Sequence, residues 1–158
     1  MNTVSSNSLR CWCFIAPTPA PSADCPVDII FVVDESGSIG EDNFDEMQTF
    51  LSQLVARLDI NSGTTRVGLV PFSSNVDTAE SFNLNEHLTV AAIQNAIDDL
   101  DYSKGGTRTD LALRHVRTNM LTAAAGDRSN VPNVVVVLTD GQSNQPNQTQ
   151  VCNAVLLT

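Results

Sequence analysis

Two loops of this sequence carry carboxylate and hydroxyl side chains directly after runs of apolar residues. In the first loop (DESGS, residues 34–38), Asp34, Ser36 and Ser38 stand at alternate positions. Alternate residues of an extended segment project to the same side, so one carboxylate and two hydroxyls aim at a single point. In the second loop, Asp140 follows another apolar run and precedes a glycine. Both loops therefore offer oxygen atoms that can share one ligand.

A third segment (GGTRT, residues 105–109) adds the hydroxyls of Thr107 and Thr109 at the start of a predicted helix. The donors of these three segments are oxygen atoms, without sulfur or imidazole among them. An oxygen-only set with few carboxylates suits Mg²⁺ or Mn²⁺, completed by water, better than Zn²⁺. We therefore predict a magnesium or manganese site in these segments.

Strands that alternate with helices must position the three segments. Near-continuous apolar runs occupy residues 27–33, 66–72 and 134–138. Such runs are typical of strands buried on both faces of a parallel sheet, and a weaker strand is predicted within 76–84. The alternation predicts an α/β fold with a doubly wound, mostly parallel sheet flanked by helices. In such folds, ligands bind beyond the carboxyl ends of the strands.

Apolar residues at helical spacing predict the helices that connect these strands. The first extends over about 41–58, and the second begins after Thr89, whose hydroxyl suits an N-cap. The third begins near Thr107 and stops at Gly126, and a last helical stretch begins near Asn147.

The charge balance excludes several classes of partner. The chain has 18 Asp and Glu against 8 Lys and Arg, for a net charge of −10. Such a surface repels nucleic acid and anionic membranes, and no apolar run approaches the ~20 residues that span a bilayer. We expect neither nucleic-acid binding nor membrane insertion, whereas divalent cations and basic partners are favoured.

The sequence lacks the motifs of common enzyme classes. It contains no Gly-x-Ser-x-Gly elbow, no Walker loop and no Gly-x-Gly-x-x-Gly segment. Aspartyl-phosphate phosphatases need a second Asp two residues after the first, where this chain has Ser36. Neither His87 nor His115 lies near a motif as a candidate base. We therefore predict that the protein is not an enzyme.

The cysteines and the N-terminal segment bear on the compartment. The cysteines are Cys11, Cys13, Cys25 and Cys152, and their spacing does not suit zinc. A Cys25–Cys152 disulfide would suit a secreted domain, and free thiols are the equal alternative. Residues 1–23, rich in proline, are expected to form a disordered leader or linker rather than a signal peptide. The triplet at 147–149 (NQT) permits N-glycosylation in a secreted chain.

The three motifs, in this order, resemble those of the von Willebrand factor type A domain. The segment DIIFVVDESGSIG (28–40) is similar to A domains of matrix proteins such as collagens and matrilins, and the resemblance covers roughly 25–147. It implies a Rossmann-like fold with strand order 3-2-1-4 and a metal-ion-dependent adhesion site. The family also has further strands and a terminal helix. We therefore expect residues 24–158 to form such a domain, incomplete at its C-terminal edge, with 134–138 as an exposed edge strand.

By position, the resemblance puts the metal site on Asp34, Ser36, Ser38, Thr107 and Asp140. It implies that Ser36 and Ser38 bind Mg²⁺ or Mn²⁺ directly and that Asp34 binds mainly through water. Thr107 and Asp140 would bind directly or through water, and Thr109 would support them. A Glu or Asp of a partner would then enter an exchangeable position on the metal.

The expected function is that of an extracellular adhesion module. Its partner would be an extracellular matrix or cell-surface protein that offers an acidic side chain. Two alternatives remain open from the sequence. One is an intracellular assembly subunit of the same family, and the other is a domain with this fold that binds partners without metal.

Overall fold

The computed structural model of this chain describes residues 25–141 and 143–149, and three parallel strands form its centre. The strands are β1 (Val27–Asp34), β2 (Thr65–Phe72) and β3 (Asn133–Leu138), in the spatial order β2-β1-β3. The three apolar runs of the sequence therefore form strands as predicted. With helices on both faces of the sheet, the predicted α/β class is confirmed.

The register of the sheet brings the two carboxylate-bearing loops to one edge. Asp34, the last residue of β1, lies opposite Phe72, the last residue of β2. On the other side of β1, Val33 lies opposite Leu138, the last residue of β3. The loops that follow β1 and β3 therefore leave the sheet side by side.

Within the residues that the structure describes, three α-helices pack against this sheet. They are α1 (Glu41–Val55), α2 (Val90–Asp98) and α3 (Thr109–His115). The predicted N-cap of α2 is confirmed, because the Thr89 hydroxyl accepts a hydrogen bond from the Ala92 backbone N–H at 3.3 Å. Gly40, before α1, has φ 81°, a left-handed conformation that favours glycine.

Alternate residues of β1 bury into different apolar clusters, one on each face of the sheet. Phe31 and Val33 pack with residues of α1 and α2. Ile30 and Val32 pack with residues of α3 and with Met120. Burial on both faces explains why this strand has an unbroken apolar sequence.

The predicted strand within 76–84 does not form. Instead, two isolated antiparallel bridges join this segment to β2, one between Phe72 and Val76 and one between Leu69 and Phe82. Between them, the Asp77 carboxylate accepts hydrogen bonds from the backbone N–H groups of Ala79 and Glu80. Because this local turn uses the N–H groups of Ala79 and Glu80, they cannot pair with a neighbouring strand. The strand expected within 76–84 is therefore reduced to the two bridges.

The helix predicted over 107–126 is three shorter pieces. After α3, the chain forms a π-helical turn at Val116–Met120 and a 3₁₀ turn at Ala123–Ala125. The Thr122 hydroxyl accepts from the Ala125 N–H and starts the last turn, which ends at Gly126 with φ 92°. The predicted stop at Gly126 is therefore correct, although the helix before it is interrupted.

A buried ion pair lies at the end of the sheet opposite to the loops that follow β1 and β3. The Arg128 guanidinium contacts the fully buried Asp28 carboxylate at 2.6 Å. It also donates to the carbonyl oxygens of Val27, Gly63 and Thr64. One side chain thus connects the start of β1 with the loop before β2.

Some predictions concern residues that the structure does not describe. The leader at 1–23 and the cysteines Cys11, Cys13 and Cys152 lie outside the described residues, so the leader and the Cys25–Cys152 pairing stay predictions. Within the described part of the chain, β3 is an outer strand, and Val134 and Val137 are exposed. No helix in that part is long and apolar enough to cross a membrane.

Candidate metal centre

Asp34 is a buried carboxylate that is held at both of its oxygens. The backbone N–H of Ser36 donates to Asp34 Oδ1 at 2.9 Å. The hydroxyl of Thr139, at the end of the neighbouring strand β3, donates to Asp34 Oδ2 at 2.6 Å. Asp34 is fully buried, so these two bonds fix its orientation at the loop edge.

The predicted oxygen donors of the first and second loops lie within contact of each other. Ser36 Oγ and Ser38 Oγ are 3.1 Å apart, and the Ser38 hydroxyl donates to Asp140 Oδ1 at 3.2 Å. Neighbouring ligands of an octahedral Mg²⁺ at ~2.1 Å are separated by about 3.0 Å. The spacing of these oxygens therefore fits adjacent positions around one small divalent cation.

Thr107 belongs to a loop that is attached to the first loop through backbone contacts. The Gly37 N–H donates to the Gly105 carbonyl at 2.9 Å, and Ser36 and Gly105 form a parallel bridge. Thr107 itself is buried. Among the described residues, no side-chain hydrogen bond links its hydroxyl to the other four predicted ligands, so it joins the group through the position of its loop.

Asn144 fixes the backbone of Thr107 and was not predicted from the sequence. The Asn144 side-chain oxygen accepts from the Thr107 N–H at 2.6 Å, and the Asn144 N–H donates to the Thr107 carbonyl at 2.8 Å. The loop after β3 therefore holds the third segment in place as well as supplying Asp140.

The two glycines before Thr107 allow this close packing. A Cβ on Gly105 would lie 2.7 Å from Ser73 Oγ, and a Cβ on Gly106 would lie 2.8 Å from Asn144 Oδ1. The Gly105 Cβ would also lie 2.8 Å from the Ser74 backbone nitrogen, so glycine is required there for the loops to meet. A side chain at Gly106 would instead displace the Asn144 amide.

Tyr102 is a second residue that the sequence analysis missed. Its hydroxyl donates to the Ser36 carbonyl at 3.0 Å and accepts from the Gly40 N–H at 2.9 Å. Its ring stacks on Phe44 of α1 with 5.3 Å between centroids. Tyr102 thus connects both ends of the loop over 35–40, called the metal loop below, to α1, the helix that follows it. The only signal in the sequence was a single tyrosine close to the GGTRT segment.

Glu35, between Asp34 and Ser36, is a buried carboxylate whose hydrogen-bond partner is Ser103 and not one of the proposed ligands. Desolvation by burial raises the pKa of its carboxyl from 4.5 to about 7, against an opposing hydrogen bond from Ser103. The negative charges of Glu80 and Asp77 raise the pKa further. Its Oε1 has no hydrogen-bond partner among the described residues.

Arg108 separates the two threonines of the third segment and orders the start of α3. Its guanidinium forms a two-pronged pair with the Asp110 carboxylate, at 2.8 and 2.9 Å. The hydrogen bonds from Arg108 lower the pKa of Asp110. Thr109 is buried at the first position of α3, and the described residues give it no hydrogen bond to the candidate ligands.

The donor set consists of two carboxylates and several hydroxyls. Within the described residues, no group of three or more His, Cys, Asp and Glu side chains could hold a metal. Any metal at this edge of the sheet must therefore bind largely through hydroxyls and water. This composition matches the chemistry of Mg²⁺ or Mn²⁺ rather than that of a thiolate or imidazole site.

Comparisons with known proteins found matches to this chain in both sequence and structure. Residues 28–156 match the sequence profile of the von Willebrand factor type A domain. The mouse collagen alpha-4(VI) chain is 43% identical over 129 residues, which are 80% of this chain and 6% of that protein. Human matrilin-4 is 42% identical over 120 residues, which are 74% of this chain and 19% of that protein. This chain thus spans a small part of each of these relatives.

Solved structures with the same fold include proximal thread matrix protein 1 from the mussel byssus. One crystal form matches with a TM-score of 0.73 and 31% identity, and covers 84% of this chain and 36% of that one. A further structure of the same mussel protein, with a TM-score of 0.72 and 31% identity, has zinc in its MIDAS motif.

Proposed function

Since this chain belongs to the von Willebrand factor type A domain family, we propose that it is a metal-dependent adhesion module. It binds an acidic side chain of a partner protein through Mg²⁺ or Mn²⁺. The metal is held by five residues: Asp34, Ser36, Ser38, Thr107 and Asp140. The protein acts as a binding module and not as an enzyme.

One observation carries this proposal. The oxygens of Ser36, Ser38 and Asp140 form a continuous chain at 3.1 and 3.2 Å, across two loops that are about 100 residues apart in sequence. These contacts are hydrogen bonds within the chain, and their spacing also fits adjacent ligands of one octahedral cation.

The protein groups divide between binding and orientation. When bound, the divalent ion supplies a Lewis-acidic centre with a position open to a partner carboxylate. Asp34 and Asp140 supply the two negative charges on the protein side. Thr139 and the Ser36 N–H keep Asp34 in one orientation. Tyr102 holds the two ends of the loop that carries the serines.

The proposed metal is Mg²⁺ or Mn²⁺, although the mussel relative was solved with zinc. Divalent zinc binds a given site more tightly than manganese does, so its presence in a crystal reports affinity and not selectivity. The hydroxyl and carboxylate donors of this chain favour the harder cations. In solution, zinc is expected to compete with Mn²⁺ for the same site.

The proposed setting is the extracellular matrix or the cell surface. Collagen VI and the matrilins among the relatives support this setting over an intracellular assembly role. A matrix or cell-surface protein that offers a Glu or Asp is the proposed partner.

An adhesion assay tests the function. The full chain is applied to immobilised extracellular-matrix extract in Mg²⁺ and again in EDTA. We expect binding in Mg²⁺, loss of binding in EDTA, and loss in the variant Ser38→Ala. The matched variant Ser129→Ala removes an exposed hydroxyl away from the site and should bind like the wild type. Binding that is unchanged by EDTA and by Ser38→Ala would refute metal-dependent adhesion.

A further inference from the structure

We propose that Asn147 is an N-glycosylation site and that its glycan stands beside the metal-binding edge of the sheet. The triplet Asn147-Gln148-Thr149 is the only Asn-x-Ser/Thr sequence in the 158-residue chain. The middle residue is not proline, which satisfies the acceptor rule. The sequence thus directs any N-linked glycan to this one position.

The acceptor residue is accessible in the folded chain. Asn147 and Gln148 are both exposed, within a helical turn over 146–149. Pro146 occupies the first position of that turn, where its fixed φ and missing N–H are tolerated. A sugar on the Asn147 amide would therefore extend into solvent without displacing the core.

The third residue of the triplet contributes to the fold instead of pointing into solvent. The Thr149 hydroxyl lies 2.8 Å from Ser143 Oγ and donates to the Gln145 carbonyl at 3.1 Å. Glycan transfer acts on the nascent chain before such bonds form, so these contacts do not prevent it. After folding, they hold the turn that presents Asn147.

The same segment contacts the candidate metal centre. Asn144, three positions before Asn147, makes two hydrogen bonds with Thr107. The Ser143 hydroxyl also contacts the Thr107 carbonyl at 3.5 Å. Asn147 therefore belongs to the segment that holds Thr107, close to the metal-binding edge of the sheet.

The covalent step needs a glycan donor from the secretory route. The Asn147 side-chain nitrogen attacks the anomeric carbon of a lipid-diphosphate-linked oligosaccharide. A carbon–nitrogen bond forms, the bond from that carbon to the diphosphate oxygen breaks, and the lipid diphosphate leaves. The amide gives up one proton to a base of the transferase, and no oxidation or reduction occurs.

This inference rests on the secretory setting of the proposed function but not on metal binding. The two can therefore fail separately. A chain that carries the glycan and binds no Mn²⁺ would keep the first and overturn the second. A chain that binds Mn²⁺ and enters the secretory route without a glycan would do the reverse.

The test is secretion of the full chain from mammalian cells behind an added signal peptide. We expect a mass increase of one oligosaccharide that the enzyme PNGase F removes. That enzyme converts the modified Asn147 to Asp, and peptide mass spectrometry in ¹⁸O water locates the change at Asn147 in the wild-type chain itself.

Four variants complete the test. Asn147→Gln and Thr149→Ala should lose the added mass, whereas Thr149→Ser should keep it. The control Asn130→Gln changes an exposed asparagine outside any acceptor triplet and should be modified like the wild type. A secreted wild-type chain with unmodified Asn147 would overturn the proposal, and so would modification that persists in Asn147→Gln.

Discussion

At the scale of single residues, the candidate site depends on side chains that orient the proposed ligands without being ligands themselves. Thr139 is the clearest example, because its hydroxyl donates to Asp34 Oδ2 at 2.6 Å from a neighbouring strand. A carboxylate with one oxygen fixed in this way presents the other in a single direction. Groups that orient metal ligands commonly affect metal affinity as strongly as weak ligands do.

Replacement of Thr139 by valine tests this role. Thr139→Val keeps the shape of the side chain and removes the hydroxyl, so Asp34 loses one of its two orienting bonds. We expect Mn²⁺ affinity to fall about 10–100-fold by titration calorimetry. Thr139→Ser keeps the hydroxyl and should retain most of the affinity. Equal affinities for the serine and valine variants would contradict the role.

Glu35 gives a prediction about pH. The pKa of its carboxyl is about 7 in the folded chain, against an ordinary value of 4.5. Between pH 4.5 and pH 7, Glu35 is therefore protonated in the folded chain and ionised in the unfolded chain. Stability should therefore fall as pH rises from 4.5 to 7 and stay lower above pH 7. The loss amounts to at most about 3.5 kcal/mol.

The variant Glu35→Gln has no carboxyl group to ionise, so it should not lose stability as the pH rises from 4.5 to 7. In urea unfolding with a chelator present, it should be more stable than the wild type at pH 8 and similar to it near pH 4.5. The control Glu46→Gln changes an exposed carboxylate of α1 and should show no such dependence on pH. A constant difference between Glu35→Gln and the wild type would argue against a buried proton at Glu35.

At the scale of elements, the metal loop is positioned by what packs around it. The loop leaves β1, enters α1 through Gly40, and is braced by the Tyr102 hydroxyl at both Ser36 and Gly40. The Tyr102 ring also stacks on Phe44 of α1. The brace therefore couples the loop to the helix, from a position just before the GGTRT segment in the chain.

Two substitutions separate the effect of the Tyr102 hydrogen bonds from the effect of its ring packing. Tyr102→Phe keeps the stacked ring and removes both hydrogen bonds, which leaves a backbone N–H and a carbonyl without this partner. We expect a loss of stability of about 1–3 kcal/mol and a several-fold weaker Mn²⁺ affinity. Phe44→Leu keeps both hydrogen bonds of Tyr102 but removes the stacking and part of the buried core, so it should lower the melting temperature while metal affinity is retained. A Tyr102→Phe variant with wild-type Mn²⁺ affinity would show that the brace is only structural.

The elements also show what a sequence can and cannot predict. Strands β1 and β2 are readable because burial on both faces leaves an unbroken apolar run, whereas β3 has such a run although its residues are half-buried or exposed. The strand expected within 76–84 fails because the Asp77 side chain captures two backbone N–H groups. The alternate spacing of Asp34, Ser36 and Ser38 is local and therefore visible. The bonds from Thr139 and Tyr102 join positions far apart in the chain, and no local pattern reports them.

At the scale of the whole molecule, stability and binding are concentrated at opposite ends of the sheet. Asp28 lies at the start of β1 and Asp34 at its end, which are about 20 Å apart along a strand. Arg128 holds the first end through Asp28 and three backbone carbonyls. The proposed metal occupies the other end.

The variant Arg128→Ala leaves the buried Asp28 carboxylate without its cation. We expect a loss of about 3–5 kcal/mol in unfolding free energy by urea denaturation without metal. Mn²⁺ affinity of the folded variant should not change. Arg117→Ala removes an exposed arginine and should alter stability by less than about 0.5 kcal/mol. Similar stability for both variants would contradict a structural role for the ion pair.

The edge of the sheet at the end of β1 is proposed to bind a divalent cation through Asp34 and its neighbours. Titration calorimetry with Mn²⁺ on the wild type, Asp34→Asn and Asp98→Asn tests it most directly, with circular dichroism to verify the fold of each. The variant Asp34→Asn keeps the size of the buried side chain and removes its charge, whereas Asp98 is an exposed aspartate of α2. We predict saturable binding at a single site by the wild type and Asp98→Asn, and loss of that binding in Asp34→Asn. Equal Mn²⁺ binding by all three folded proteins would contradict the account.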